Sequence, residues 1–392
     1  MNFIPWNFLF IEGLNFIDRR NNKKIEHKRI HLNSLVFSLG LLLNGNMRGE
    51  SSRKKTEIKN IMLPELTEIF QRWNEPGWRA AQVFAWIYQR GVQDFDKMTD
   101  LSFSLRKKMK QNFKSFIPVC EEELFSDDGT KKYLFRMSDG SLIETVHIPA
   151  NKRYTICIST QVGCKFACVF CASGLRGFKR DLLCSEILGQ ILYLRDICSL
   201  SLTNYVFMGM GEPLDNFKAV SQAMLTMNSE KGMGIAARRI TVSTCGIVPG
   251  IIALKNLGLQ INLSLSLHAV RDELRSNLIP VNKKYPLEEI INACEEYVET
   301  VGRMLTLEYI LLGGVNDSKR DAEELTKIAR RLHAKVNLIP YSPVPGLNFF
   351  SPKKEKIKQF ESYLHEKKVH ITVRHSKGSD IQAACGQLAG RI

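Results

Sequence analysis

Gln161-Val162-Gly163-Cys164-Lys165-Phe166-Ala167-Cys168-Val169-Phe170-Cys171 decides how this chain is read. Its three cysteines crowd together in a C-x₃-C-x₂-C spacing, directly after Thr155–Ser159, a short run that reads as a strand. A loop leaving a strand end can wrap soft thiolates around a metal. Three thiolates complete neither of the two centres they suit. A zinc site needs a fourth Cys or His from elsewhere, whereas a [4Fe–4S] cluster held by Cys164, Cys168 and Cys171 keeps one iron open. Spacing alone leaves both readings standing.

Downstream of this loop, β-branched and aliphatic runs alternate with amphipathic segments. The expected strands are Thr155–Ser159, Tyr205–Met208, Ile240–Ser243, Asn262–Leu267, Leu305–Leu311, Val336–Ile339 and His370–Arg374. Helical candidates lie between them at Ser185–Arg195, Leu287–Glu299, Lys319–His333 and Pro352–Lys367. This alternation predicts an α/β fold, a partial (β/α)₆ barrel, with a doubly wound open sheet as the competing arrangement. In both, function collects in the loops after the C-terminal strand ends.

Upstream, Tyr133–Met137 and Leu142–Ile148 flank Ser138-Asp139-Gly140, which is hairpin chemistry. From Pro64 to Phe116 apolar residues recur at helical spacing, as in Leu66, Ile69, Phe70 and then Val83, Phe84, Trp86, Ile87. The expected organisation is an extension over 1–60, a helical accessory domain over 61–118, a β-hairpin linker over 119–153 and the barrel over 154–392. Residues 1–46 show neither period, and the extension is expected to be disordered or to belong to an over-long gene model.

The chain has 392 residues, 55 of them basic and 40 acidic, for a net charge of +15. Such an excess favours a polyanionic partner, nucleic acid or an anionic membrane surface. The apolar stretch Leu35–Leu43 is interrupted by Gly40 and falls well short of the roughly 20 residues that span a bilayer, so no transmembrane helix is expected. No clean cleavage pattern follows it, which argues against a signal peptide. Ten cysteines in so long a chain do not make a secreted disulfide framework; their local crowding reads as metal binding in a reducing compartment, the cytoplasm.

An open cluster iron can chelate the amino and carboxylate groups of S-adenosylmethionine and pass an electron into its sulfonium. Gly209-Met210-Gly211-Glu212-Pro213 closes the second strand, where glycines let backbone approach a ligand and Glu212 can receive an ammonium group. Ser243-Thr244 and Ser266-Leu267-His268 close the third and fourth strands and offer hydroxyl and imidazole contacts. Each of these has a plainer reading as a turn or a satisfied polar residue. Cys157 precedes the cluster loop, and Cys385 sits among small residues in Asp380-Ile381-Gln382-Ala383-Ala384-Cys385-Gly386-Gln387; the plain reading of each is a small buried hydrophobe.

From about Leu63 to Arg391 the sequence resembles the RlmN-type radical S-adenosylmethionine methyltransferases of RNA, whose relative Cfr confers antibiotic resistance. The likeness rests on Arg79-Ala80-Ala81-Gln82 with Trp86-Ile87-Tyr88, Glu144-Thr145-Val146 with Ile148-Pro149, Gln161–Cys164, Gly209–Leu214, Ser264–Ala269 and Asp380–Gly390. It implies a [4Fe–4S] cluster and two S-adenosylmethionine molecules per methyl transferred. It further implies that Cys385 is first methylated, that a radical formed on that methyl adds to C2 of an adenine, and that Cys157 releases the product through a transient disulfide. Glu144 matches the family's proton acceptor. Gly211, Glu212, Ser243, Ser266, Leu267, His268 and Ser342 match its cofactor contacts, although Ser342 stands where the family commonly has asparagine.

The resemblance also implies 23S ribosomal RNA and transfer RNA as substrates, an electron donor such as flavodoxin or ferredoxin, and a monomer. Arg72, Arg79, Arg90, Arg106, Lys107, Lys108 and Lys110 of the helical domain are the expected extra RNA surface, against a plainer reading as a solvated charged face. Two other functions compete: a Cfr-like enzyme acting at C8 of the same adenine, and a non-enzymatic, metal-stabilised RNA-binding protein. Pro213 after Gly211-Glu212 favours C2 over C8.

Overall fold

A parallel sheet seven strands wide places the cysteine loop at one of its C-terminal ends, and everything else in the fold is arranged about it. The computed structural model describes residues 55–374 and 376–389; the expected extension falls almost wholly outside them. The chain opens with β1 (Thr56–Glu57), which pairs parallel to β2 (Phe113–Lys114) and so brackets the helices Leu63–Arg72, Trp78–Phe84 and Phe103–Asn112. These helices bury Leu66, Phe70, Val83, Phe84, Leu105 and Met109, the apolar stripe that their spacing requires. Trp78–Phe84 runs on into a π-helical turn, Ala85–Gln89, that buries Ile87 and Tyr88.

Part of the domain's positive charge braces it internally. Lys110 pairs with Asp96 at 2.5 Å, Arg106 donates to the Asp96 carbonyl and Lys108 to the Trp73 carbonyl.

Next come β3 (Val119–Phe125), β4 (Lys131–Arg136), β5 (Leu142–Ala150) and β6 (Arg153–Cys157), each antiparallel to the one before. The β4–β5 turn forms where its residues predict. Gly140 takes φ +80°, Asp139 accepts from the Ser141 amide, and the Met137 amide donates to the Ser141 carbonyl at 2.8 Å. Beyond β6 lie β7 (Gln161–Gly163) and β8 (Phe178–Asp181), then β9 (Asn204–Phe207), β10 (Ile240–Thr244), β11 (Asn262–Ser266), β12 (Thr306–Leu311), β13 (Lys335–Pro340) and β14 (Ile371–Val373).

The main sheet has the order β14-β13-β12-β11-β10-β9-β6-β5-β4-β3, parallel from β6 to β14. Helices Cys184–Leu192, Phe217–Asn228, Val248–Lys255, Leu287–Val301, Lys319–Arg331 and Lys354–Glu366 form the crossovers, which is the expected partial (β/α)₆ arrangement. The central strand β12 is buried along its whole length, as a strand covered on both faces must be. The β3–β5 segment, expected as a linker, extends the same sheet antiparallel to β6.

The small β7–β8 pair was not legible in the sequence, and it fixes the cysteine loop. Gly163 has φ +75°, and a Cβ there would collide with the Gly177 carbonyl oxygen; the next amide, of Cys164, donates to that same oxygen at 2.8 Å. Gly163→Ala is therefore expected to cost about 2–4 kcal/mol locally and to displace Cys164. Iron and sulfide content after anaerobic purification should fall well below wild type; full content would show that this close approach does not set the loop.

Candidate active site

Cys164, Cys168 and Cys171 leave β7 in one loop, which is pinned by bonds from the Val169 amide to the Leu278 carbonyl and from the Cys171 amide to the Cys168 carbonyl. Burial raises all three thiols, Cys164 to about 12, and repulsion from neighbouring thiolates adds to the rise at Cys164 and Cys168. Protein groups alone hold these thiols protonated, so a bound cationic centre has to supply the charge that makes them ligands. A four-iron cluster takes one thiolate at each of three corners and fits this donor set.

Beside the loop, Glu212 is buried. Its carboxylate accepts from the Leu214 amide at 3.0 Å and the Cys245 amide at 2.8 Å, and no Lys or Arg among the described residues forms an ion pair with it. Burial raises its pKa, and a ligand ammonium group would supply the counter-charge that favours the carboxylate. The neighbouring glycines answer to packing. A Cβ on Gly209 would lie 2.6 Å from Ser159 Oγ, and one on Gly211, at φ +93°, would strike the Gln161 side chain. Gln161 in turn accepts from the Glu212 amide at 2.9 Å.

Ser243 and Ser266, on neighbouring strands β10 and β11, bring their hydroxyl oxygens to 3.2 Å. Leu267 is fully buried, and its amide donates to the Glu308 carbonyl. His268 follows at φ +53°, with Nδ1 accepting from the Ile310 amide at 3.0 Å. That bond puts the imidazole proton on Nε2, as a donor. Burial, then the Arg275 charge, lowers its pKa to about 3. Ser342 is buried after β13 and donates to Ser376 Oγ at 2.7 Å.

Cys157 ends β6 and is buried, while Cys385 lies in the C-terminal segment, far along the chain. The fold brings them close enough that charge on Cys385 raises the Cys157 thiol, on top of its burial. Cys385 sits in a recess that solvent reaches but protein encloses; burial raises its thiol, Arg374 lowers it, and Glu308 and Cys171 raise it further. The disulfide that the resemblance implied, a transient one, is not present in this state: all ten cysteines are free. Glu144, on β5, is buried, pairs with Lys132 Nζ at 3.0 Å and accepts from the Ala389 amide at 2.7 Å.

Several residues of this site gave no sequence signal. Arg275 is fully buried and donates to the carbonyls of Leu267, Cys245 and Ser266 and to Asn282 Oδ1, tying the ends of β10 and β11 together. Glu308 on β12 is buried with Oε1 bonded to Ser264 and Asn337 and with Oε2 unpartnered. A cavity of about 250 Å³ opens beside the loop, between Ser141, Val162, Phe178, Met210 and Ala389, with Arg176 and Lys179 on its wall. Its lining does not include Ser243, Ser266 or His268, the expected cofactor contacts.

Residues 158–333 match the Radical SAM superfamily, and residues 56–114 match the Ribosomal RNA large subunit methyltransferase N-terminal domain. The probable dual-specificity RNA methyltransferase RlmN of Akkermansia muciniphila is 46% identical over 318 residues, 79% of this chain and 89% of that protein. The dual-specificity RNA methyltransferase RlmN of Psychrobacter arcticus is 42% identical over 88% of this chain and 90% of its own length. The chain belongs to the RlmN family. A crystal structure of a radical SAM methyltransferase from Sphaerobacter thermophilus, 43% identical, superposes with a TM-score of 0.80 over 85% of this chain and 99% of its own. As an RlmN-family member the chain is a radical S-adenosylmethionine methyltransferase that uses a [4Fe–4S] cluster. No helix among the described residues is long and apolar enough to cross a membrane.

Burial holds His268 neutral, and this carries a pH signature. Its folded pKa of about 3 lies below the unfolded value, so its contribution is complete above about pH 6.5 and is lost as pH falls toward 3. Between pH 7 and pH 5 that amounts to about 2 kcal/mol. Urea unfolding of wild type and His268→Gln at the two pH values should differ by this slope; parallel pH dependences would contradict a neutral buried His268.

Proposed function

We propose that this chain methylates C2 of an adenine in 23S ribosomal RNA and in transfer RNA, in the cytoplasm, with Cys385 carrying the transferred carbon and Cys157 releasing the product. The reading rests above all on the placement of Cys385: its segment is bonded to the end of the cluster loop through Ala172 and Ser173 and to Glu144 through Ala389, and it lies near enough to Cys157 for its charge to raise that thiol. A plain S-adenosylmethionine site needs neither cysteine. When bound, the cluster with S-adenosylmethionine supplies one-electron chemistry at a ring carbon that polar methylation does not reach.

The chain's own residues divide the remaining work. Cys385, recessed yet open to solvent, gives its sulfur to a methyl group; Arg374 nearby offsets the burial that disfavours its thiolate. Cys157, buried at the end of β6, makes the releasing attack as its thiolate. Glu144 faces the same segment and takes the proton. Glu212, Ser243, Ser266, His268 and Ser342 hold the cofactor, with Gly211 and Leu267 shaping the backbone around it.

RNA fits the exposed cations around the mouth. Arg176 and Lys179 flank the cavity beside the loop without an ion-pair partner among the described residues, and phosphate contacts account for much of any protein's affinity for RNA. In the helical domain Arg79 stacks on Trp78 and Arg90 on Trp86, at 4.2 and 4.1 Å, flat surfaces on which a base can lie. Electrons come from a small carrier of the flavodoxin or ferredoxin type, and the enzyme acts as a monomer.

Two variants separate the cysteine roles. Cys385→Ala should abolish methyl transfer with cluster content unchanged, and Cys157→Ala should accumulate RNA covalently bound to protein, visible as a denaturation-resistant adduct. Normal turnover by Cys157→Ala would remove Cys157 from the reaction.

A further inference from the structure

The segment that carries Cys385 is held on both sides of that residue by one buried ion pair. Lys132 Nζ, on β4, lies 3.0 Å from Glu144 Oε1, with both side chains more than nine-tenths buried, and it also donates to the Gln382 carbonyl at 3.1 Å. Across the strand pair, Glu144 Oε2 accepts from the Ala389 amide at 2.7 Å. Gln382 precedes Cys385 and Ala389 follows it, so the two charges close a clasp around the loop between them.

The antiparallel strands and their turns add further ties earlier in the segment. Asp128 accepts from the Gly378 amide at 2.9 Å, Ser126 donates to Asp380 at 2.7 Å, and Lys377 donates to the Pro149 carbonyl at 2.6 Å. These fix where the segment begins. On the other flank, the Gly386 carbonyl accepts from the Ala172 amide at 2.7 Å, and Ser173 donates to the Leu388 carbonyl, joining the segment to the end of the cluster loop.

From this arrangement we infer that Lys132 is a positioning residue for the methyl transfer: its ammonium group, paired with Glu144, holds the Cys385 loop in register with the cluster loop and with Cys157. The inference rests on the role of Cys385 proposed above. It also gives Glu144 a second task. A carboxylate that takes up a proton loses the charge that holds Lys132, so proton transfer to Glu144 loosens the clasp at the stage when Cys385 must yield its product to Cys157. The antiparallel extension β3–β5 is thereby part of the active site's mechanics.

Hydrogen exchange read by mass spectrometry on the anaerobically purified, cluster-loaded protein tests this without RNA or turnover. In Lys132→Met, amides 383–389 should exchange at least about tenfold faster than in wild type while β12 keeps its protection, and Lys132→Arg should restore most of the difference. Methyl transfer should fall by about ten- to a hundredfold in Lys132→Met at unchanged iron content. If Lys132→Met folds poorly, Glu144→Gln, which keeps the shape and removes the charge, should give the same local loss of protection. Unchanged protection at 383–389 with lost activity would assign Lys132 to substrate contact, and loss of protection throughout the sheet would make it an ordinary structural lysine; each outcome overturns the inference. Because exchange needs no substrate, its failure is distinct from a failure to find methylated adenine.

Discussion

Burial without counter-charge is the constraint on which this site depends. Cys164, Cys168, Cys171, Cys157, Cys385, Glu212 and Glu308 are all enclosed at the strand ends, and enclosure pushes each toward its neutral form. A folded chain tolerates such a group when something offsets its charge. Arg275 does so beside Cys168 and Cys245, Arg374 beside Cys385 and Glu308, and Lys132 for Glu144. What the protein leaves uncompensated, Cys164, Cys171 and Glu212, is the part that a cationic cluster and an ammonium-bearing ligand complete.

The legible part of the molecule was the part encoded by local pattern. β-branched runs and amphipathic segments predicted the parallel strands and four of the six crossover helices to within a few residues, missing Phe217–Asn228 and Val248–Lys255, and Ser138-Asp139-Gly140 marked its hairpin, because period and turn chemistry are properties of neighbouring residues. The cysteine spacing was legible for the same reason. Partners across the fold were not. Nothing near Arg275 in the chain says that its guanidinium will meet three carbonyls at the ends of two strands and Asn282 besides, and nothing near Lys132 announces Gln382. Gly209 and Gly211 stand where a ligand was expected to approach, and across the fold Ser159 and Gln161 also exclude a side chain there.

The antiparallel strands give the fold its second layer of meaning. A six-unit partial barrel already supplies the loop, Glu212 and the Ser243–Ser266–His268 rim. β3–β5 add a platform on which the C-terminal segment lies, tied through Asp128, Lys132, Glu144 and Pro149. Cys157 belongs to β6, where the two parts of the sheet join, and Cys385 to the segment laid over that platform. Their meeting is thus a consequence of sheet topology.

The claim at the centre of this account is that a carbon passes through Cys385 to C2 of adenine. Nucleoside mass spectrometry of RNA from cells with and without this gene, and from cells carrying Cys385→Ala, measures it directly. The account predicts 2-methyladenosine that requires both the gene and Cys385. Finding 8-methyladenosine in its place, or 2-methyladenosine undiminished in Cys385→Ala, would contradict it.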